Sequence, residues 1–437
     1  MRPLLAFCAG AALLLPSDPG VAQIRWEHGG FLEAAGRFYS RRPYPSDTHA
    51  SGNARFQLWS RAHLGKRLSW RGSYGLRLDT HRDVDRTRWF DAADRGLLQP
   101  AGSLRECYFD LKLEHLDLRV GRQEIRWGRA DAYNPTDNLI PYDYLDTSAE
   151  ERLAVPALKA DAYFGRAHLE AAWIPVFTPT RLPLLGQRWF PGLPGTAPIS
   201  TVPGNPPAEV ALEYQNGSRL FPPLTFGNGQ WGVRWNQAVP RAEFSFSYFD
   251  GYDDIAFLRA SPSLIREESL IPRMVISLDR SYYRVRIAGA DFATAVGPFG
   301  LRGEVAFYDQ EDPLNQDHVL AVIGVDRSWG DWLTIVEYAE LAVSGEYIYP
   351  ATFPDLALRS TLMWRIERTL GPSQSVKISG AAGLRDGGVF IRPLYGRALT
   401  NNWRLEAGLS VFAGPADSYL GQFAQNDSLS LQLRYTF

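Results

Sequence analysis

Between Ser428 and Phe437 apolar and polar residues alternate without a break. Leu429, Leu431, Leu433, Tyr435 and Phe437 share one face, while Ser428, Ser430, Gln432, Arg434 and Thr436 share the other. A period of two marks a strand, whose successive side chains point to opposite faces. The pattern recurs along the chain. Phe56, Leu58, Ala62 and Leu64 oppose Arg55, Gln57, Arg61 and His63. Trp70, Tyr74, Leu76 and Leu78 oppose Arg71, Ser73, Arg77 and Asp79, and Leu169, Ala171 and Trp173 oppose Arg166, His168 and Glu170. Such stretches predict about eighteen strands, with about sixteen as the alternative count. They lie near 27–38, 53–64, 68–79, 104–113, 116–123, 153–164, 166–174, 230–236, 242–249, 281–292, 299–308, 317–328, 332–340, 357–367, 375–384, 388–399, 403–412 and 428–437.

The connections alternate in length as regularly as the strands alternate in polarity. Short links such as Gly65-Lys66-Arg67, Gly165, Gly330-Asp331 and Thr400-Asn401-Asn402 are interleaved with long ones. The long links are 39–52, 80–103, 124–152, 175–229, 250–280, 341–356 and 413–427, with 385–387 short where a long one is due. Short turns on one side, longer loops on the other, an even strand count and strands of about ten residues describe a membrane barrel. The predicted fold is therefore all-β, a transmembrane antiparallel up-and-down barrel. A secreted soluble β-sandwich binding protein is the weaker alternative, because a sandwich has no reason to alternate its loop lengths. The 175–229 connection carries Pro175, Pro179, Pro183, Pro191, Pro194, Pro198, Pro203, Pro206, Pro207, Pro222 and Pro223. Proline at this density excludes sheet and helix interiors. Trp189, Phe190, Leu182, Leu184 and Leu185 favour a loop that packs against the rest of the chain.

Composition narrows the compartment. A formal net charge of -2 provides no global field for nucleic acid. Arg2, the apolar run from Leu4 to Leu15 and Gly20-Val21-Ala22 predict a signal peptide over 1–22, leaving 23–437 as one barrel. Cys8 would leave with that leader, and Cys107 alone forms no internal disulfide. No later apolar run is long enough for a spanning helix.

The stretch richest in character begins with Arg105-Glu106-Cys107-Tyr108. It continues through Leu118-Arg119-Val120-Gly121-Arg122-Gln123-Glu124-Ile125-Arg126-Trp127-Gly128 to Asp131 and Asn134-Pro135-Thr136-Asp137-Asn138. This block resembles large outer-membrane porin families of Gram-negative bacteria related in architecture to alginate-export channels. Gly289 to Tyr308 and Val322 to Glu340 also look like strands of those families. The resemblance implies an outer-membrane β-barrel, and the terminal aromatic pair Tyr435 and Phe437 resembles the closing strand that barrel-assembly machinery recognises. Independently of it, Gly121 lets its strand bend. Arg122, Gln123, Arg126 and Asp131 then fall at the mouth or fold inward as a constriction, unless their charges only pin the loop.

No Gly-x-Ser-x-Gly elbow, His-Glu-x-x-His pair or phosphate-cradling loop is present, and the histidines are scattered. No enzymatic activity, cofactor or metal is expected; Asp250, Asp253 and Asp254 are read as solvating their loop rather than as calcium ligands. Strand phase turns about nineteen basic side chains inward against about twelve acidic ones. Arg71, Arg77, Arg119, Arg166, Arg284 and Arg286, with Glu106, join the constriction candidates. Rings of fixed charge bias what enters a pore. The expected function is a passive channel for small polar solutes with a mild anion preference, surrounded by outer-membrane lipid. The alternative is a transporter or export duct for amphiphilic, lipid or polysaccharide cargo.

Overall fold

The computed structural model describes residues 24–41, 48–91, 93–145, 151–193, 195–199, 208–265, 273–311, 317–343 and 358–437. The expected leader lies outside these residues, as do Pro194, Pro203, Pro206 and Pro207.

Alternating polarity builds the strands where it was read. They are β1 (Arg25–Tyr39), β2 (Ala50–His63), β3 (Leu68–Asp79), β4 (Val84–Trp89), β5 (Gln99–Lys112), β6 (Leu116–Gln123), β7 (Val155–Phe164) and β8 (Ala167–Ile174). Then come β9 (Thr196–Ile199), β10 (Ala208–Leu220), β11 (Gln230–Val239), β12 (Ala242–Tyr252), β13 (Phe257–Ile265), β14 (Arg273–Ser281), β15 (Arg284–Val296) and β16 (Phe299–Gln310). The chain ends with β17 (His318–Trp329), β18 (Trp332–Val343), β19 (Thr361–Thr369), β20 (Gln374–Gly383), β21 (Val389–Ala398), β22 (Trp403–Ala413) and β23 (Ser428–Thr436). Setting aside β4, β9, β10, β13 and β14, eighteen antiparallel strands form one closed barrel.

Closure joins the two ends of the chain. β1 pairs with β23 from Phe31 opposite Thr436 to Tyr39 opposite Ser428. Phe437 then exchanges backbone hydrogen bonds of 2.9 and 3.0 Å with Gly30. A closed sheet has no edge to protect, and it excludes the sandwich alternative. Leu32, Phe38, Leu58, Leu78, Phe246, Ile323, Leu429 and Leu431 are exposed on the outer surface, an apolar band of the kind that meets lipid. Aromatic rings mark its two ends, Trp26 against Trp70 near the short turns and Trp231 against Tyr248 near the long loops.

One expectation is corrected. The proline-rich connection was expected to hold no strand, yet β9 and β10 lie within it. They join β13 and β14 in a separate four-stranded sheet above the long-loop end, with β10 and β14 parallel. The reason is local: β10, Ala-Glu-Val-Ala-Leu-Glu-Tyr-Gln-Asn-Gly-Ser-Arg-Leu, contains no proline. Pro198 sits in β9, an edge strand, where a missing N–H costs least.

The two faces of β23 predict opposite responses to the same substitution. Leu431→Arg places a guanidinium in the apolar band and should cost roughly 2–4 kcal/mol near the midplane. Gln432→Arg faces the lumen beside Glu33 and should be tolerated. Urea titration of barrels refolded in vesicles measures both; equal losses would show the strand phase to be wrong.

Candidate permeation pathway

The connection between β6 and β7 does not stay outside. Gly121, with φ 130, breaks the alternation of β6, and the chain folds into the barrel. Backbone N–H groups inside a barrel need acceptors, since an unpaired buried one costs as much as a lost hydrogen bond. Two wall carboxylates supply them. Glu304 on β16 accepts the N–H of Arg129 and of Ala130 (2.6 Å) and the Thr136 hydroxyl (3.0 Å). Glu337 on β18 accepts the N–H of Asp131 (2.6 Å) and of Ala132 (2.8 Å). Side chains add further ties. Arg129 donates to Asp291 at 2.7 Å, Asp131 accepts from Arg302 at 2.6 Å and from Arg365 at 3.1 Å, and Trp127 donates to Glu170.

Apolar packing completes the latch. Ile125, Trp127, Leu139 and Ile140 of the loop bury against Ala172, Ile174, Phe249, Val285, Ile287 and Ala306 of the wall. Gly232 makes room, since a Cβ there would lie 2.6 Å from the Trp127 ring. Ala130 and Tyr133 pack on a second cluster of Leu320, Val322, Ala339, Leu341, Leu358 and Met363. The wall from β7 to β19 is thus covered by its own loop.

Nearer the mouth, charges join the loops. Arg181 bonds to Asp94 and to Asp143 (2.8 Å), and Arg122 reaches Asp94 at 2.9 Å. Burial opposes the charge on Asp94, but Arg181 and Arg122 outweigh it and hold the carboxyl below its ordinary range. Glu151 is likewise held low, as Arg77 and Arg105 overcome its burial. Both carboxylates therefore stabilise the packed loops in full above the ordinary carboxylate range, and that contribution is lost as pH falls from there through their lowered values. Part of the proline-rich connection forms a strap across the mouth. Thr178 donates to the Ala93 carbonyl at 3.1 Å, Gln187 to Asp83 at 2.8 Å and Arg188 to the Thr48 carbonyl at 2.7 Å. Trp189 seats against Phe412 and Phe423 on the far side.

The sequence-derived candidates separate into distinct places. Arg71 pairs with Glu106 at 2.7 Å, Arg119 with Asp110 at 3.2 Å, and Arg77 with Glu151, all on the lumen wall. Asp131 is inside, bound as described. Gln123 is fully buried and donates to the Ala157 carbonyl at 3.0 Å, so it pins backbone. Arg122 is buried in the loop cluster, whereas Arg126 is exposed beside Glu124 at 2.8 Å. Arg166 lies exposed in the two-residue turn between β7 and β8, at the opposite end from the loop. Arg284 and Arg286, expected inward, face outward: Arg284 pairs with Asp250, and Arg286 with Asp309 and Glu311. The inner positions there belong to Val285 and Ile287, 1% and 4% exposed, which pack on the inserted loop. A polar-inward rule fails where the lumen is filled by protein.

The uncovered wall carries a feature that residue counts miss. Cross-strand partners run Arg404 to Arg434, Arg434 to Glu33, Glu33 to Arg55, and Arg55 to Arg77, one row across β22, β23, β1, β2 and β3. Glu33 is 1% exposed, while Arg404, Arg434 and Arg55 keep 48%, 36% and 33% of their side chains open. Water and solutes therefore reach the guanidiniums and not the carboxylate.

If Glu304 and Glu337 hold the loop, Glu304→Ala with Glu337→Ala should free it. Charge-assisted bonds are worth about 1.5–3 kcal/mol each. Amide exchange at residues 129–132 should quicken by roughly tenfold or more, with the barrel strands unchanged. Unaltered exchange would mean that apolar packing alone retains the loop.

Comparison with known proteins agrees with this architecture. The solved structure of Acinetobacter baumannii OccAB4 superposes with a TM-score of 0.53 at 9% identity, covering 96% of this chain and 99% of that one. A triple mutant of the Rhodopseudomonas blastica porin gives a TM-score of 0.42 at 10% identity, covering 94% and 100%. Among curated proteins no sequence match was found. The likeness to OccAB4 is one of fold. The sequence model described as "Protein of unknown function (DUF1302)" matches residues 50–331, more than half of the chain, which therefore belongs to the DUF1302 family.

Proposed function

We propose that the protein is an outer-membrane channel that passes small polar solutes passively and prefers anions. The observation that carries this reading is the row Arg404, Arg434, Glu33, Arg55, Arg77. Like charges directly opposite one another destabilise a sheet. Arg404 faces Arg434, and Arg55 faces Arg77. Barrel strands tilt by roughly 35–45°, so a row of cross-strand neighbours climbs the wall instead of circling it at one height. Guanidiniums placed this way offer successive forks to a carboxylate or phosphate.

The lipid-facing band and girdles support a place in the outer membrane. The pairing of Phe437 with Gly30 supports a role for the terminal aromatic residue in closing the barrel, in line with recognition by assembly machinery. Deleting Phe437 should lower the yield of barrel that shifts on gels after boiling. The resemblance to alginate-export channels rests on short motifs that fix position in a barrel, so it speaks for architecture rather than for a polysaccharide. One cluster favours the second reading, a duct for amphiphilic cargo: Trp189, Phe412 and Phe423, with Phe390 and Tyr419 packed against them, lead from the strap into the lumen. Trp189, Phe412 and Phe423 are all buried, so strap packing uses the apolar surface that a cargo would need.

Planar-bilayer reversal potentials in a salt gradient test the proposal. Arg404→Gln with Arg434→Gln should lower anion preference at about 0.1 M salt and much less at about 1 M, where the Debye length falls from about 10 to about 3 Å. Arg122→Gln with Arg126→Gln, the pair the sequence singles out, should leave selectivity nearly unchanged. Selectivity that follows the second pair and ignores the first would place the filter at the mouth and refute the row.

A further inference from the structure

Where β3 ends and the connection to β4 begins, Asp79, His81 and Asp83 occupy alternate positions. Each offers one ligand atom, and the three atoms lie within 4.8 Å of one another. His81 Nε2 is 3.0 Å from Asp83 Oδ2 and 3.7 Å from Asp79 Oδ2. Asp79 is the informative member. Its side chain is 2% exposed, and its Oδ2 accepts the N–H of Asp83 (2.5 Å) and of Val84 (3.2 Å). Its Oδ1 is buried with no hydrogen-bond partner. The guanidinium of Arg86 bonds the Asp79 carbonyl at 2.9 Å rather than the carboxylate. An ionised carboxylate buried with an unsatisfied oxygen is costly unless a cation compensates it.

We propose that Asp79, His81 and Asp83 bind a divalent metal ion of the zinc class. One imidazole nitrogen with two carboxylate oxygens suits zinc and its transition-metal neighbours, whereas calcium and magnesium take oxygen ligands. The second histidine–carboxylate group, Asp161, His168 and Glu170, provides a contrast within the same lumen. There Lys159 Nζ lies 3.1 Å from Asp161 and 2.9 Å from Glu170, so an ammonium already holds the cation position. Among the described residues no ammonium or guanidinium is bonded to the Asp79 carboxylate. Three protein ligands leave coordination positions open to water or a small anion. His81 and Asp83 line a cavity shared with Arg37, Asn53 and Gln187, just inside the strap. Because Asp83 also accepts from Gln187, the ion would stiffen the contact between this connection and the strap.

Zinc binding to the tag-free full-length barrel in detergent, stripped with chelator and titrated by calorimetry, tests the site without any measurement of conductance. Metal analysis after gel filtration should find about one zinc per chain, one ion for one three-ligand site. Asp79→Asn and His81→Ala should each weaken binding by at least the roughly tenfold that loss of an outer-shell partner costs, while heat-modifiability shows the barrel intact. His168→Ala should leave affinity unchanged. Absence of retained zinc, or binding that survives both Asp79→Asn and His81→Ala, would overturn the proposal.

Discussion

Backbone amides folded into a barrel must find acceptors, and this requirement organises the lumen. The run from Arg129 to Ala132 presents successive N–H groups to Glu304 and Glu337, which lie 4% and 1% exposed on the wall. A buried carboxylate is itself unstable without donors. Loop and wall therefore satisfy one another, and neither arrangement would persist alone. The apolar clusters follow from the same folding: once the loop is held, Trp127 and Ile140 need apolar wall beneath them, and Val285 and Ile287 turn inward to provide it.

This division gives the barrel two unlike halves. One wall is filled and internally paired. The other keeps polar and cationic side chains in contact with water, and its arginines are shared among Glu33, Glu151 and Glu406. Glu33 accepts from Arg55 Nε at 2.7 Å and from Gln432 at 2.8 Å, and Arg434 lies 3.7 Å away. Glu33 offsets part of the repulsion in the row while remaining out of reach of solutes.

Much of this fold was legible in the sequence because a period of two and an alternation of loop lengths are local signals. The strand from Ser428 to Thr436 is the clearest case. β9 and β10 were missed because proline was counted over a whole connection, while β10 occupies its proline-free interval; β13 and β14 lie in the 250–280 connection, which was read only as a long loop. Within the pathway, Arg71, Arg77, Arg119, Glu106 and Asp131 could be assigned to the lumen from parity or proximity. The outward turn of Arg284 and Arg286 could not, because it depends on what fills the lumen some 150 residues away in sequence, where Trp127 and Ile140 supply the packing. Nor could the row around Glu33, which exists only once strand register is known.

Water access distinguishes the two walls most directly. In a Cys107→Ser background, Ser430→Cys on the uncovered wall and Ala306→Cys beneath the loop place single thiols on the inner face of β23 and β16. A small charged thiol reagent should label the first rapidly and the second hardly at all in the folded barrel. Equal rates at both positions would show that the loop does not cover its wall, and would contradict the account.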